Sequence, residues 1–333
     1  MSDNLGMSSV AQVTIHASQF PDQVRRDLAA SLRSRQINHK FHYDSVKQTQ
    51  KWLALHQQYS PTRRDEDCLA QYENSFAAAA ARIKAPRVQV IGLGCGGGQK
   101  DTRLLRQLAA AGRTVAYAPC DVAAAMVLTA RQTALVVVPA EQCFPLVLDL
   151  ATAEDLPAVL DRMLPGDAAR LFTFFGMIPN FEPAVILPRL ASLLRPDDGL
   201  ICSANLAPGP DYAAGVRQIL PQYDNAPTRE WLLTFLLDLG VERGDGELRF
   251  GLETDAASGL QRVTAHFHFT RPRRIEIEDE VFEFEAGAVV RLFFSYRYTP
   301  DRVRSALERQ GVSVLEEWIT RSEEEGVFLC RRI

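Results

Sequence analysis

The chain has 333 residues, 47% of them hydrophobic, which is enough to fill one large core or two of ordinary size. Its 37 Lys and Arg against 41 Asp and Glu leave a formal net charge of −4, with no basic footprint for nucleic acid. Six scattered cysteines form no C-x-x-C pair and no Cys/His cluster, which argues against a metal site and for reduced thiols in a cytoplasmic protein.

Residues 1–15 read as a disordered tail without the basic-then-apolar pattern of a signal peptide, and no later run approaches the roughly 20 apolar residues of a membrane span. Helical periodicity covers 22–35 and 44–58, separated by Asn38-His-Lys-Phe-His-Tyr-Asp44 and followed by Tyr59-Ser-Pro-Thr-Arg63. An alanine-rich helix covers 64–83. From residue 86 strands and helices alternate, as a parallel sheet with helices on both faces requires. The strands fall at 87–93, 114–119, 145–149, 169–175 and 199–205; the helices between them fall at 99–111, 122–132, 153–163 and 183–194.

The segment 209–297 interrupts this alternation. Helices at 210–221 and 228–239 precede strands at 247–253, 260–269, 273–278 and 281–285, where Arg271, Arg273 and Arg274 meet a run of acids in a mixed-charge hairpin. Together with 16–63 this α+β piece forms a substrate-binding second domain. Residues 64–208 and 298–333 form the cofactor-binding domain. The chain ends in a helix at 300–310, a strand over Val312–Thr320, a turn and a strand at Val327–Cys330, an antiparallel hairpin closing the parallel sheet. The fold class is therefore α/β, a doubly wound sheet with a class I methyltransferase-like closing hairpin.

In such a sheet the ligand sits at the carboxyl ends of the strands. The first strand ends at Gly94, Gly96 and Gly98, a G-x-G-x-G spacing rather than the dinucleotide G-x-G-x-x-G, which leaves room for S-adenosylmethionine. Gly94 and Gly96 allow close backbone approach, the next helix offers free N–H groups to a carboxylate, and Lys100 adds positive charge. The second strand ends at Asp121, placed either for a ribose diol or as a helix N-cap. The third offers Asp149 and Leu150, suited to an adenine amino group and ring, or to capping a loop. The fourth runs through Gly176 to Asn180, which either holds a substrate carboxylate or caps the helix starting near Pro183.

With these residues assembled, the chain resembles the histidine-specific Nα-methyltransferases of ergothioneine biosynthesis, over about residues 25–333. The resemblance is carried by Lys40-Phe-His-Tyr-Asp44, Tyr59-Ser-Pro-Thr-Arg63, Gly94-Cys-Gly with Lys100, Ala118-Pro-Cys-Asp121, Asp149-Leu150, Phe175-Gly176 with Asn180, Gln222-Tyr-Asp224 and Ser295-Tyr-Arg-Tyr-Thr-Pro300. It implies S-adenosylmethionine contacts at Tyr43, Gly94, Gly96, Lys100, Asp121, Asp149 and Leu150. It implies substrate contacts at Tyr59, Asn180, Tyr223, Phe293 and Ser295, with Tyr59 orienting the amine and Asn180 and Tyr223 holding the carboxylate.

Two departures bear on chemistry. Where the family places a glutamate for the substrate imidazole, this chain has Phe293; where it places an acid two residues before the first matched glycine, this chain has Gly92. Losing a buried acceptor penalises a substrate N–H, so an apolar, aromatic or modified amino acid fits better than histidine. The expected activity is methyl transfer to the amine of an amino acid or a derived small molecule, in a monomer or weak homodimer without nucleic-acid or membrane partners. O- or C-methylation in the same pocket, or a nicotinamide-dependent oxidoreductase, are the alternatives.

Overall fold

The computed structural model describes residues 10–59 and 65–333. Its elements run β1 (Thr14–Ile15), α1 (Pro21–Ser34), α2 (Val46–Tyr59), α3 (Glu66–Arg82), β2 (Arg87–Leu93), α4 (Gln99–Ala110), β3 (Thr114–Asp121), α5 (Ala124–Ala134), β4 (Leu146–Val147), α6 (Leu156–Met163), β5 (Ala169–Phe174), α7 (Pro183–Leu193) and β6 (Gly199–Asn205). They continue with α8 (Tyr212–Ile219), α9 (Ala226–Asp238), β7 (Gly246–Thr254), β8 (Gln261–Phe269), β9 (Arg273–Ile277), β10 (Glu280–Phe284), β11 (Val289–Tyr296), α10 (Pro300–Glu308), β12 (Val312–Ile319) and β13 (Glu325–Arg332).

Eight strands form one sheet in the order β1-β4-β3-β2-β5-β6-β13-β12. Pairing is parallel from β1 through β6, and β13 is antiparallel to both β6 and β12. A parallel sheet must be covered on both faces, and β2 shows the consequence: every residue after Arg87 is buried. One face packs against α6, α7 and α10 through Leu156, Ile186, Leu190 and Leu307. The other packs against α3, α4 and α5 through Phe76, Leu104, Leu108 and Ala130. The strand order runs outward from β2 to β3 and β4, then resumes on its other side with β5, so the carboxyl ends of β2 and β5 form a topological switch point.

A third core joins chain segments far apart in sequence. Leu32 and Phe41 from the N-terminal region pack with Trp231 and Phe235 of α9 and with Phe267, Val290 and Leu292 of the three-stranded sheet β11-β8-β7. The Arg-rich hairpin is β9-β10, and its base is tied down by Asp245, which pairs with both Arg271 and Arg273.

Three features depart from the sequence reading. Thr14 and Ile15, assigned to the tail, pair with Leu146 and Val147 and cover the edge that the short β4 leaves open. The strand expected over 145–149 is only Leu146–Val147. No strand was expected over 289–296, yet β11 is there; its register shifts between Arg291 and Phe293, so Leu292 is a bulge. The bulge puts three apolar residues, Leu292-Phe293-Phe294, in a row and hides the period-2 alternation that marks a half-buried strand.

Gly98 fixes how α4 leaves the sheet. Its φ of +73° is the left-handed region, and a Cβ there would lie 2.8 Å from the Cα of Ala130 in α5. We expect Gly98→Ala to lower the unfolding free energy by about 2 kcal/mol or more in urea titration, because backbone strain and a clash with main chain add. A variant as stable as the parent would show that the turn can shift away from α5.

Candidate functional site

Two cavities of about 540 and 600 Å³ meet at the carboxyl ends of β2, β3 and β5. Tyr43, Trp52, Gly94, Gly96, Met177 and Asn180 line both, so the glycine turn is their common wall. At Gly94 a Cβ would lie 2.8 Å from the Met177 side chain, in addition to the strain of a φ of +63°. A side chain there would collide with Met177 in the wall that the two cavities share.

The first cavity contains Asp121, Asp149 and Leu150. Asp121 accepts the N–H of Gly96 and the N–H of Ala123, each at 3.1 Å. It therefore holds the glycine turn and the start of α5 at once. Burial pushes its pKa up to about 6, offset in part by hydrogen bonds from the N–H groups of Ala123, Gly96 and Val122. Tyr43, packed edge-on to Trp52 at 5.8 Å, is kept protonated by burial and by the neighbouring Asp121 charge.

Asp149 is differently placed. One carboxylate oxygen accepts the N–H of Ala151 at 3.0 Å and the other accepts Lys40 Nζ at 3.1 Å. Lys40 is itself buried and also pairs with Asp27 of α1. The sequence reading did not anticipate this triad; a lysine embedded in the aromatic run Phe41-His-Tyr43 was the available signal. Leu150 packs at the edge of the core and lines the same cavity.

Lys100 lines the second cavity, where its ammonium donates to the Tyr72 hydroxyl at 2.7 Å and lies 3.7 Å from Glu325. Tyr72 bonds Glu325 and lies 2.8 Å from Ser203 Oγ, which accepts the N–H of Gly176. This network, also unread in the sequence, ties α3, β6 and β13 to the loop that carries Asn180. Asn180 follows β5, its side chain donating to the Gly176 carbonyl at 3.3 Å.

The rest of the second cavity is aromatic at one end. Trp231 lies 5.5 Å from Tyr43 and 6.1 Å from Phe293; Tyr223 lies 5.9 Å from Phe293. Phe293 stacks on His39 at 5.0 Å with the planes 10° apart. His39 Nε2 accepts the backbone N–H of Phe294, which requires a neutral ring. Burial, helped by His42 and Arg291, lowers its pKa well below the usual imidazole range. Tyr59 ends α2 and lines this cavity while 40% exposed; Ser60–Arg63 of its motif lie outside the described residues.

Tyr223 donates to Ser295 Oγ at 3.0 Å and accepts from Arg297 Nη2 at 2.7 Å. Ser295 corrects an expectation: it is buried behind Tyr223 and lines neither cavity. Arg297, which the sequence reading passed over, does line the second cavity. It is 5% exposed, its Nε has no hydrogen-bond partner, and no carboxylate pairs with it among the described residues. After the bulge in β11, alternation puts Phe293, Ser295 and Arg297 at one parity and Phe294 at the other, where it lines the first cavity.

Residues 20–332 match the family described as histidine-specific, S-adenosylmethionine-dependent methyltransferases. A curated relative, the N-methyltransferase imqF of Aspergillus flavus, is 26% identical over 282 residues, spanning 81% of this chain and 73% of the relative. Among solved structures, magnesium protoporphyrin IX methyltransferase from Synechocystis PCC 6803 with bound S-adenosylhomocysteine aligns at 15% identity and a TM-score of 0.44, covering 86% of this chain and 95% of that one. A Burkholderia thailandensis 1,6-didemethyltoxoflavin-N1-methyltransferase aligns at 14% identity and a TM-score of 0.41, covering 85% and 86%.

The sequence reading gives Asp121 a ribose diol, and hydroxyls bond an ionised carboxylate more strongly than its acid form. With Asp121 titrating at about 6, we expect S-adenosylhomocysteine to bind about tenfold more weakly at pH 5 than at pH 7.5, since protonation removes the charge that strengthens these bonds. Calorimetry at the two pH values checks this, and an unchanged dissociation constant contradicts it.

Proposed function

Because the chain belongs to the family of histidine-specific, S-adenosylmethionine-dependent methyltransferases, we propose that it methylates the amine of an apolar or aromatic amino acid, or of a small molecule derived from one, rather than histidine. The carrying observation is Phe293, stacked on neutral His39 and flanked by Trp231 and Tyr223, with Arg297 beyond Tyr223. An imidazole N–H laid against that wall would meet carbon, and a buried donor left unpaired costs about 1–3 kcal/mol. An apolar side chain gains from the same surface.

The residues present suit the cofactor. The Gly94–Gly96 wall leaves backbone open to both cavities, Asp121 accepts hydrogen bonds only from N–H groups among the described residues, and Lys100 stands at the far side of the turn. S-adenosylmethionine, when bound, supplies an electrophilic methyl group on a sulfonium. The work left to the chain is to orient an amine and keep it neutral. At neutral pH the α-amine of a free amino acid is mostly protonated, and the Arg297 charge lowers its pKa and so favours the neutral form. Tyr59 at the cavity mouth orients the amine, while Asn180 and Tyr223 hold the carboxylate, Tyr223 by turning its hydroxyl proton from Ser295 Oγ toward the substrate. Trp52, Trp231 and Phe293 offer ring faces to a cationic methylated product.

A mass-spectrometric screen of free amino acids for the gain of one methyl group tests this reading. We expect turnover of phenylalanine-, tyrosine- or leucine-like acceptors above histidine; histidine as the best acceptor overturns it. A second expectation concerns Phe293→Glu, which restores an acceptor and should raise the ratio of histidine to apolar turnover by about tenfold or more. An unchanged ratio would mean that Phe293 does not set selectivity.

A further inference from the structure

The second cavity contains one more acidic group beside the glycine turn. Asp101, in the first turn of α4, is 2% exposed yet lines the cavity near Gly94 and Lys100. Its Oδ2 accepts the Tyr117 hydroxyl of β3 at 2.6 Å, and its Oδ1 accepts the Thr173 hydroxyl of β5 at 2.7 Å. Between these strands runs β2, and at that level its residue is Gly92. A Cβ on Gly92 would overlap Asp101 Oδ2 and come within 3.1 Å of Tyr117 Oη.

Gly92 is thus a glycine of a different kind from Gly94, Gly96 and Gly98. Its backbone is outside the left-handed region, so nothing in its conformation excludes a side chain. What excludes one is the carboxylate already there. The central strand gives up a side chain and a helix delivers an acid into the vacated space.

That acid is expensive to keep. It forms no ion pair among the described residues, and the adjacent cation, Lys100, is engaged with Tyr72 and Glu325. Burial pushes its pKa up to about 6, while the Tyr117 and Thr173 bonds and the Lys100 charge pull it back down. An apolar residue would serve packing better, since an unpaired buried charge is a net cost. A cationic ligand in the cavity would offset that cost.

We propose that Asp101 is a cofactor-positioning residue: delivered from α4 into the room left by Gly92, its carboxylate supplies the negative charge for the α-ammonium group of the amino-acid end of S-adenosylmethionine and fixes the glycine turn against β3 and β5. Asp121 and Asp149 lie in the other cavity and serve the adenosine end. The two ends of one ligand therefore have separate acids.

The test compares three probes by calorimetry on Asp101→Asn: S-adenosylmethionine, S-adenosylhomocysteine and 5′-methylthioadenosine, which lacks the amino-acid portion. Loss of a charge-assisted contact should weaken the first two by about tenfold or more and the third by no more than about twofold. Equal weakening of all three means a structural clamp only, and no weakening means no role; either result overturns the proposal. Should Asp101→Asn not fold, Gly92→Asp combined with Asp101→Ala returns a carboxylate to the same space from the strand. That variant is expected to keep the preference for S-adenosylhomocysteine over 5′-methylthioadenosine, and a folded protein without the preference overturns the proposal.

Discussion

The turn from β2 into α4 has to be bare of side chains and yet held still, and the surrounding structure is arranged to meet both demands. Bareness comes from Gly94, Gly96 and Gly98. Rigidity comes from neighbours: Cys95 donates to the Cys120 carbonyl at 3.0 Å, Gly96 donates to Asp121, Gly98 packs against Ala130, and Asp101 bridges to β3 and β5. The anchors come from β3, from α5 and, through Asp101, from β5. The turn is therefore only as fixed as the sheet and helices around it, which links the packing of α4 and α5 directly to the shape of the ligand cavities.

Charge is distributed around that turn by sign and by degree of pairing. Asp149 is balanced by buried Lys40, and Lys100 is engaged by Tyr72 and Glu325. Asp121, Asp101 and Arg297 form no ion pair among the described residues, although each is in a cavity wall. A protein keeps such groups where a ligand completes them, because an isolated buried charge costs several kcal/mol otherwise. Asp101 beside the glycine turn and Arg297 beside Tyr223 give the second cavity one unpaired acid and one unpaired base.

The bulge at Leu292 decides how β11 serves both cavities. Without it, strict alternation would place the side chains after it on the opposite faces. With it, Phe293 faces the aromatic end of the second cavity and Phe294 the first, and Tyr223 is held from behind by Ser295 and Arg297. One extra residue in one strand thus sets which side chains line each cavity.

The sequence by itself determined the doubly wound α/β class, the glycine turn after β2, the acids at the ends of β3 and β4 and the closing hairpin, because these follow from periodicity and from which residue stands where a strand stops. Phe293 was also legible as a departure from a family pattern. What only the tertiary structure decided were the partnerships: Lys40 with Asp27 and Asp149, Lys100 with Tyr72 and Glu325, Arg297 with Tyr223, and Asp101 in the space of Gly92. The same holds for β11, for the β1–β4 pairing and for Ser295 standing behind Tyr223. The physical reason is that each depends on contacts between residues tens to hundreds of positions apart, or on a one-residue register shift, and neither leaves a local period to read.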